Sequence, residues 1–175
     1  MPNYRRAVIL GGTFFFTVNL LERRRRLLTE RIEDLRTAFA DARRRRPFVI
    51  DAMVVLPDHL HCIWTLPPGD ADFSARWHDI KSRFSAPVPQ EERRSARRIH
   101  KGERGIWQRR FWEHAIRDDR DFARHVDYIH FNPVKHGHAA RASDWPYSSF
   151  QRFGAKGLLP LDWAADAEVR ELNLE

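Results

Sequence analysis

The sequence predicts an α+β domain with a ferredoxin-like split βαβ fold, in which helices cover one face of an antiparallel sheet. The first observation is the order of the predicted elements, β-α-β-β-α-β, followed by a further helix and a tail. The second is a turn of two residues, Pro57–Asp58, which joins two strands into a hairpin. The length of 175 residues is sufficient for a single hydrophobic core. We therefore expect one domain over residues 1–153 and a C-terminal tail over residues 154–175.

Hydrophobic periodicity places four elements in the first half of the chain. The strands are β-branched and aromatic runs, whereas the helix has apolar residues at every third or fourth position. The glycines Gly11 and Gly12 interrupt the first strand and indicate a bulge or a close approach of the backbone. The predicted elements are a strand over Val8–Val18, a helix over Thr29–Arg46, and strands over Phe48–Leu56 and His59–Leu66.

The second half of the chain supplies the remaining elements. On the next helix we expect an apolar stripe in the core and Arg76 in solvent. Proline, arginine and glycine punctuate residues 87–105, which predicts a mobile basic loop. The last helix begins at the capping residue Asp118 and ends before Pro133, because a residue that precedes proline avoids the helical conformation. The predicted elements are a helix over Phe73–Ser85, a strand over Ile106–Ile116 and a helix over Asp118–Asn132.

The chain is strongly basic, with a formal net charge of +7 and an isoelectric point near 10.3. This charge indicates a polyanionic partner, and we expect nucleic acid and no membrane. Cys62 is the only cysteine, which excludes an internal disulfide and is typical of a reducing compartment. The sequence contains neither an apolar run of about 18 residues nor a signal peptide. We therefore expect a cytoplasmic, nucleoid-associated protein.

Two histidines, His59 and His61, form the first candidate site. Alternation along the strand puts Leu60, Cys62 and Trp64 in the core and both histidines on the opposite face, about 7 Å apart. Two imidazoles at this separation are able to bind one divalent ion. The alternative is a pair of surface histidines that bind nothing, and the spacing alone does not decide between them.

The last predicted helix aligns polar side chains on one flank. Four residues follow one another at spacings of four, three and four, which makes them neighbours: Asp121, His125, Tyr128 and Asn132. Tyr128 and Asn132 project together from the last turn. Each residue also has a purely structural interpretation. Tyr128 would be a packed tyrosine with its hydroxyl at the surface, and Asn132 would be a polar residue that tolerates the end of a helix.

Five motifs of this sequence occur together in a known family. They are GGTFFFTVNL (residues 11–20), PDHLH (57–61), FSARWHDIKSRFS (73–85), YIHFNPVKHG (128–137) and WPYSSF (145–150). With these motifs in this order, the chain resembles the single-tyrosine HUH transposases, and among them the REP-associated tyrosine transposases, which accompany repetitive extragenic palindromes. The resemblance extends to about Phe153.

This resemblance implies a reaction and the residues that perform it. His59 and His61 would bind Mg²⁺ or Mn²⁺ together with Asn132, a position where related transposases often have glutamine. Tyr128, on a C-terminal catalytic helix, would attack a DNA phosphodiester and leave a 5′-phosphotyrosine and a free 3′-OH, so that rejoining needs no ATP. His125 is a candidate acceptor of the tyrosine proton. Imidazole ligands suit Mn²⁺ better than Mg²⁺, and we expect an open, weakly held ion.

The expected partner is single-stranded or hairpin DNA, a REP-like palindrome with a short unpaired foot. Single strands are held by cations and by aromatic stacking. Trp107 and Trp112 are able to stack on bases, but tryptophans are more often buried. The C-terminal tail favours a monomer, and a dimer like that of the insertion-sequence relatives is the alternative. The candidate DNA-binding residues are Arg5 and Arg6 of a basic N-terminal arm, Gly11, Gly12, Lys81, Arg83, Arg109, Arg110 and Lys135.

The leading hypothesis is a metal-dependent single-strand endonuclease and strand-transferase, and two other functions stay open. A hairpin-binding regulatory protein that no longer cuts DNA would need neither the histidine pair nor Tyr128. A rolling-circle initiator or relaxase would share the histidine pair, but such proteins usually place the tyrosine differently and have helicase or primase partners.

Overall fold

The centre of the molecule is a four-stranded antiparallel sheet with the strand order β2-β3-β1-β4. The structure is a computed structural model that describes residues 8–174. Its strands are β1 (Thr13–Asn19), β2 (Val49–Val55), β3 (His59–Thr65) and β4 (Trp112–Ala115). This strand order is that of a ferredoxin-like sheet, so the predicted fold class is confirmed.

Seven α-helices and one short 3-10 helix are present among residues 8–174. They are α1 (Leu27–Glu30), α2 (Ile32–Arg45), α3 (Phe73–Ser85), α4 (Ala96–His100), α5 (Asp119–Lys135), the 3-10 helix Ala142–Asp144, α6 (Phe150–Ala155) and α7 (Ala167–Arg170). None of the helices in this part of the chain has the length and apolarity needed to cross a membrane.

The sheet separates two hydrophobic cores, because successive side chains of a strand point to opposite faces. Phe14, Phe16 and Trp64 belong to the core shared with α2 and α3. Phe15 and Ile63 belong to the second core, which α5 covers together with the C-terminal segment. The two helices of the split βαβ unit therefore lie on one face, as predicted, and the additional helix α5 lies on the other.

Two predicted strands are shorter in the structure. Gly11 has a φ of 66° and forms a turn, so β1 begins at Thr13 and contains no glycine bulge. The close approach is present, since the Gly11 N–H donates to the Asp70 carbonyl at 2.8 Å. The predicted strand over Ile106–Ile116 is reduced to β4. Trp107 makes only an isolated bridge to Leu20, and the chain then leaves the sheet until β4 begins at Trp112.

The segment 87–105 is not free of structure. It contains the one-turn helix α4, and the guanidinium of Arg104 donates to the carbonyls of Ser85 and Val88 and pairs with Glu92. The hydrogen bond from Arg104 lowers the pKa of the Glu92 carboxyl to about 2, against a smaller opposing effect of burial. One arginine therefore ties this segment to the end of α3, and its mobility stays a prediction.

Helix α5 does not end before Pro133, which corrects the predicted boundary. Proline lacks an N–H, so Pro133 removes only the one backbone hydrogen bond that residue 133 would donate to the carbonyl one turn earlier. The helical pattern resumes after it, since the His136 N–H donates to the Asn132 carbonyl at 3.1 Å. Asn132 therefore lies inside the helix and is completely buried.

The prediction that Arg76 faces solvent is wrong, since this side chain is 1% exposed. Its guanidinium donates to the carbonyls of Arg46 and Pro47, at 3.2 and 2.8 Å, and to that of Asp72 at 2.8 Å. A 2.7 Å ion pair to Asp70 completes the set. A single buried arginine thus satisfies the carbonyls at the end of α2 and joins this helix to α3.

Replacing Arg76 with methionine is expected to lower the free energy of unfolding by about 3 kcal/mol, because the carbonyls and Asp70 lose a buried charged partner. Urea unfolding followed by circular dichroism measures this change. The matched control is Arg83→Met in the same helix, whose exposed pair with Asp41 should contribute less than about 1 kcal/mol. Equal losses in the two variants would contradict the assigned role of Arg76.

Candidate active site and metal centre

The histidine pair lies on the face of β3 that α5 covers. His59 is 1% and His61 0% exposed, so neither is a surface histidine. The centroids of their imidazole rings are 5.0 Å apart. The ring of Tyr128, from α5, lies 5.2 Å from that of His61. The fold therefore brings together the histidine pair and the tyrosine, which are far apart in sequence.

Each histidine is oriented through its Nδ1 atom. Asp58 Oδ1 lies 2.7 Å from His59 Nδ1, and Thr17 Oγ1 lies 2.9 Å from His61 Nδ1. The Thr17 hydroxyl has a single hydrogen, which it donates to the Leu174 carbonyl at 2.7 Å, so it must accept from His61. Both imidazoles therefore carry their proton on Nδ1 and present an Nε2 lone pair to the space beneath α5.

Two further interactions keep these ligand atoms in the form that binds a metal. Burial opposes the ionisation of Asp58, but bonds from His59 and Arg23 outweigh it and lower the pKa of this carboxyl to about 2. Complete burial, which disfavours the charged form, lowers the pKa of His61 well below its usual value. A carboxylate behind one imidazole and a neutral second imidazole are typical of the surroundings of metal-binding histidines.

Asn132 lies on the part of α5 that covers the histidine pair. It is one helical turn after Tyr128, which contacts His61, and one turn before His136, whose ring centroid is 5.1 Å from that of His59. The Nε2 atoms of both histidines and both polar side-chain atoms of Asn132 are buried, with no hydrogen-bond partner among residues 8–174.

Such a concentration of unpartnered polar atoms indicates a site built for a ligand. An unsatisfied buried polar atom costs about 1–3 kcal/mol, and four of them on the facing sides of β3 and α5 are not explained by packing. Two imidazole nitrogens and an amide oxygen form a donor set suited to a divalent metal ion. The residues present therefore fit the ion that the sequence analysis expected.

Sequence reasoning missed Asn19, whose side chain is part of the same site. It is paired with His59 in the sheet register and lies on the same face, two residues after Thr17. Its Oδ1 atom is also buried without a partner in the described chain. Extending the alternation of β1 by one step beyond Thr17 would have found this residue.

The hydroxyl of Tyr128 is covered by the end of the chain. Tyr128 is 0% exposed, and the N–H of Leu174 donates to its oxygen at 3.4 Å. The ammonium of Lys135 lies 3.4 Å from the same oxygen and donates to the Leu172 carbonyl at 3.0 Å. Lys135 is thus placed at the tyrosine, and residues 172–174 close the site.

A second group of metal-ligand side chains lies between β4, which carries His114, and the first half of α5. The ligand atoms of His114, Asp121 and His125 all lie within 4.8 Å of one another. The carboxylate of Asp121 accepts from His114 Nε2 at 2.8 Å and from the guanidinium of Arg117 at 3.0 Å. The group is therefore already paired internally.

His125, the candidate proton acceptor, belongs to this second group. Its Nδ1 donates to the Asp121 backbone carbonyl at 2.7 Å, and burial lowers the pKa of its imidazole. The Phe15 ring contacts both His125 and Tyr128, at 4.8 and 6.1 Å between centroids. Burial therefore favours the neutral imidazole of His125, and the Phe15 ring lies against both His125 and Tyr128. The role of His125 in proton transfer stays a prediction.

The candidate DNA-binding residues do not form one surface. Lys81 is used in packing, since its ammonium donates to the Gln108 carbonyl and lies over the ring of Trp107. Arg109 pairs with Glu103, as Arg83 does with Asp41, and Arg110 is exposed. Arg5 and Arg6 lie outside the described residues.

The structure also distinguishes the remaining candidates. Gly11 packs at a close approach to Pro68, where an added Cβ would lie 3.3 Å from the Pro68 Cα, so this turn serves the fold. Gly12 forms part of the same turn. Of the two tryptophans, Trp107 is buried, as expected, whereas Trp112 is 42% exposed, which corrects the expectation of a buried side chain.

Comparison with known proteins agrees with this geometry. The family model described as "Transposase IS200 like" matches residues 15–132, which include the histidine pair, Tyr128 and Asn132. The chain therefore belongs to the IS200-like transposase family, whose members generally use a divalent metal ion.

The REP-associated branch predicted from the sequence motifs is also confirmed. The REP-associated tyrosine transposase of Escherichia coli (strain K12) is 54% identical over 166 residues, covering 95% of this chain and 93% of the relative. A putative REP-associated tyrosine transposase of Haemophilus influenzae is 43% identical over 171 residues, covering 97% of each. A solved structure of a REP-associated tyrosine transposase bound to a REP hairpin has a TM-score of 0.82 and 54% identity, covering 95% of this chain and 93% of the other.

Proposed function

We propose that this transposase is a metal-dependent single-strand DNA endonuclease and strand-transferase that acts on REP-like hairpins through a 5′-phosphotyrosine. The observation that carries the proposal is the buried pair of unpartnered Nε2 atoms of His59 and His61, beside the ring of Tyr128. A hairpin-binding protein without nuclease activity has no use for this arrangement.

His59, His61 and Asn132 would hold the ion, Mg²⁺ or Mn²⁺, and their imidazoles favour Mn²⁺. The alternative is the group His114, Asp121 and His125, but Arg117 already neutralises the carboxylate of Asp121. The charge of this guanidinium opposes a second cation at the same oxygen, whereas the Nε2 atoms have no competing partner among residues 8–174. When bound, the ion supplies Lewis-acid polarisation of the scissile phosphate.

The protein's own residues perform the exchange of bonds. The Tyr128 oxygen attacks the phosphorus and loses its proton, for which His125 is the candidate acceptor. The bond from phosphorus to the 3′ oxygen breaks, and that oxygen takes a proton to become a free 3′-OH. The Lys135 ammonium, 3.4 Å from the tyrosine oxygen, stabilises the charge that develops there. The reverse attack by a 3′-OH rejoins the strand without ATP, because one phosphodiester replaces another.

We infer that the substrate is a hairpin with an unpaired foot, supported by the net charge of +7 and by the relative solved with a REP hairpin.

We propose a monomer, because the end of the chain already covers Tyr128 from within the same molecule. We also propose that the protein is cytoplasmic and associates with the nucleoid, because its proposed substrate is DNA. The same covered tyrosine favours the alternative of a hairpin-binding regulator, which the following experiment tests.

The test uses a REP hairpin labelled at its 5′ end in one sample and at its 3′ end in another, incubated with Mn²⁺ and run on a denaturing gel. We expect a covalent adduct that carries only the 3′ label, because a 5′-phosphotyrosine retains the fragment on the 3′ side. Tyr128→Phe and a chelator should each abolish it, whereas the matched control Tyr147→Phe should not. Tight hairpin binding with neither adduct nor cleavage would favour the non-cutting regulator instead.

A further inference from the structure

Trp112 lies in the same row of the sheet as the candidate metal ligand His61. The register pairs His61 with Thr17 on one side, and Thr17 with Trp112 on the other. Residues paired directly across antiparallel strands project from the same face of the sheet. With neighbouring strands about 4.8 Å apart, Trp112 lies roughly 10 Å from His61, on the face that carries Tyr128.

The indole is exposed but held in place. Trp112 is 42% exposed, because β4 is an edge strand and α5 crosses the sheet toward β3 and leaves this position uncovered. Its ring is nearly parallel to that of His114, with 6° between the planes, and His114 is stacked in turn on His125. The edge of Phe15 contacts it from the sheet, at 5.7 Å between centroids. A large aromatic surface is therefore fixed in solvent beside the site.

We propose that Trp112 is the stacking platform for one unpaired base of the single strand that enters the active site. This inference rests on the proposed function, since it concerns the nucleotides next to the phosphate that Tyr128 attacks. Stacked nucleotides rise about 3.4 Å each, so roughly 10 Å corresponds to about three nucleotides. The base on Trp112 is thus within about three positions of the scissile phosphate.

The surroundings favour a nucleobase as the occupant of this surface. Indole rings stack on any base, and single-strand sites combine such rings with cations that neutralise the phosphates. Arg110, two residues before Trp112, is exposed, and the chain as a whole is strongly basic. Between the indole and His61, the Thr17 hydroxyl is occupied by the carbonyl of Leu174. The single DNA strand and the C-terminal residues of the protein would therefore compete for the same part of the sheet surface.

The experiment measures binding of full-length protein to fluorescent hairpins in EDTA, where no cleavage occurs. The ligands are a hairpin with its unpaired foot, the same hairpin without the foot, and a series with one abasic site at each unpaired position. The variants are Trp112→Ala, Trp112→Phe, which keeps an aromatic ring, and the control Leu161→Ala, an exposed apolar residue between α6 and α7. Thermal unfolding shows whether each variant is folded.

We expect Trp112→Ala to weaken binding of the footed hairpin by roughly 5- to 100-fold and to leave the footless hairpin unchanged. Trp112→Phe should retain most of the affinity. An abasic site at one position should weaken binding by wild-type protein by the same factor. The same abasic site should not weaken binding by Trp112→Ala any further, because the base and the indole form one and the same contact. An equal loss on both hairpins, no loss, or undiminished sensitivity of Trp112→Ala to every abasic site would overturn the proposal.

This result is independent of the cleavage experiment. The expected binding pattern without a covalent adduct would support the role of Trp112 and contradict the proposed reaction. A Tyr128 adduct without a selective effect of Trp112 would support the reaction and contradict the role of Trp112.

Discussion

His61→Ala is expected to lower the rate of Mn²⁺-dependent cleavage by about 10³-fold. A ligand that holds an ion against the scissile phosphate supports several kcal/mol of transition-state stabilisation, and each 1.36 kcal/mol is a factor of about ten in rate. The imidazole is buried and its Nδ1 is held by Thr17, so no neighbouring side chain can take its position without rearrangement. Single-turnover cleavage of a labelled hairpin measures the rate, and calorimetric titration with Mn²⁺ measures the binding of the ion.

Two further histidine variants make this prediction specific. His78→Ala removes an exposed histidine on α3 and should change neither quantity. His114→Ala disrupts the second group of metal ligands and should leave Mn²⁺ binding intact. If His114→Ala abolishes binding of the ion while His61→Ala retains it, the metal centre lies in the second group and our assignment is wrong. Near-ultraviolet circular dichroism excludes unfolding as the cause of a loss.

A chain that ends at Glu171 is expected to cleave hairpins about 10- to 100-fold faster than the full chain. The truncation removes the carbonyl bonded to Lys135, the N–H bonded to the Tyr128 hydroxyl and the carbonyl bonded to Thr17. Each such bond contributes about 0.5 to 1 kcal/mol, so opening the site in the full chain costs about 1.5 to 3 kcal/mol. Helix α7 stays in the truncated chain, and its buried Val169 continues to pack on the second core.

The controls separate access from other effects. The same truncation combined with Tyr128→Phe should produce no adduct, since a more open site without its nucleophile cannot react. Binding of a hairpin that lacks the unpaired foot should be the same for the full and the shortened chain. An unchanged or lower cleavage rate in a shortened chain that is still folded would show that residues 172–174 do not restrict the site.

The regular elements were predictable because their signals are local. Alternation along β3 was enough to place Leu60, Cys62 and Trp64 in one core and the two histidines on the other face. Helical spacing was likewise enough to align Tyr128 with Asn132. The sequence motifs then indicated the transposase family to which the chain belongs.

The remaining features depend on long-range contacts that no local pattern contains. Arg76 has the spacing of a solvent-facing residue, and only the arrival of the carbonyls at the end of α2 explains its burial. The exposure of Trp112 depends on the strand order, because β4 is an edge of the sheet. The position of Leu174 on Tyr128 follows from the path of the whole C-terminal segment, whose sequence has no strong periodicity.

The division of the candidate ligands between two rigid bodies has a thermodynamic consequence. The imidazoles of His59 and His61 belong to the sheet, whereas the amide of Asn132 belongs to α5, the helix that also carries Tyr128. An ion bound by all of them would act as a cross-link between helix and sheet, and its binding energy would add to the energy of docking α5. Loading the metal and seating the nucleophile would then be one coupled equilibrium, so that depletion of the ion would loosen the helix as well as remove the Lewis acid.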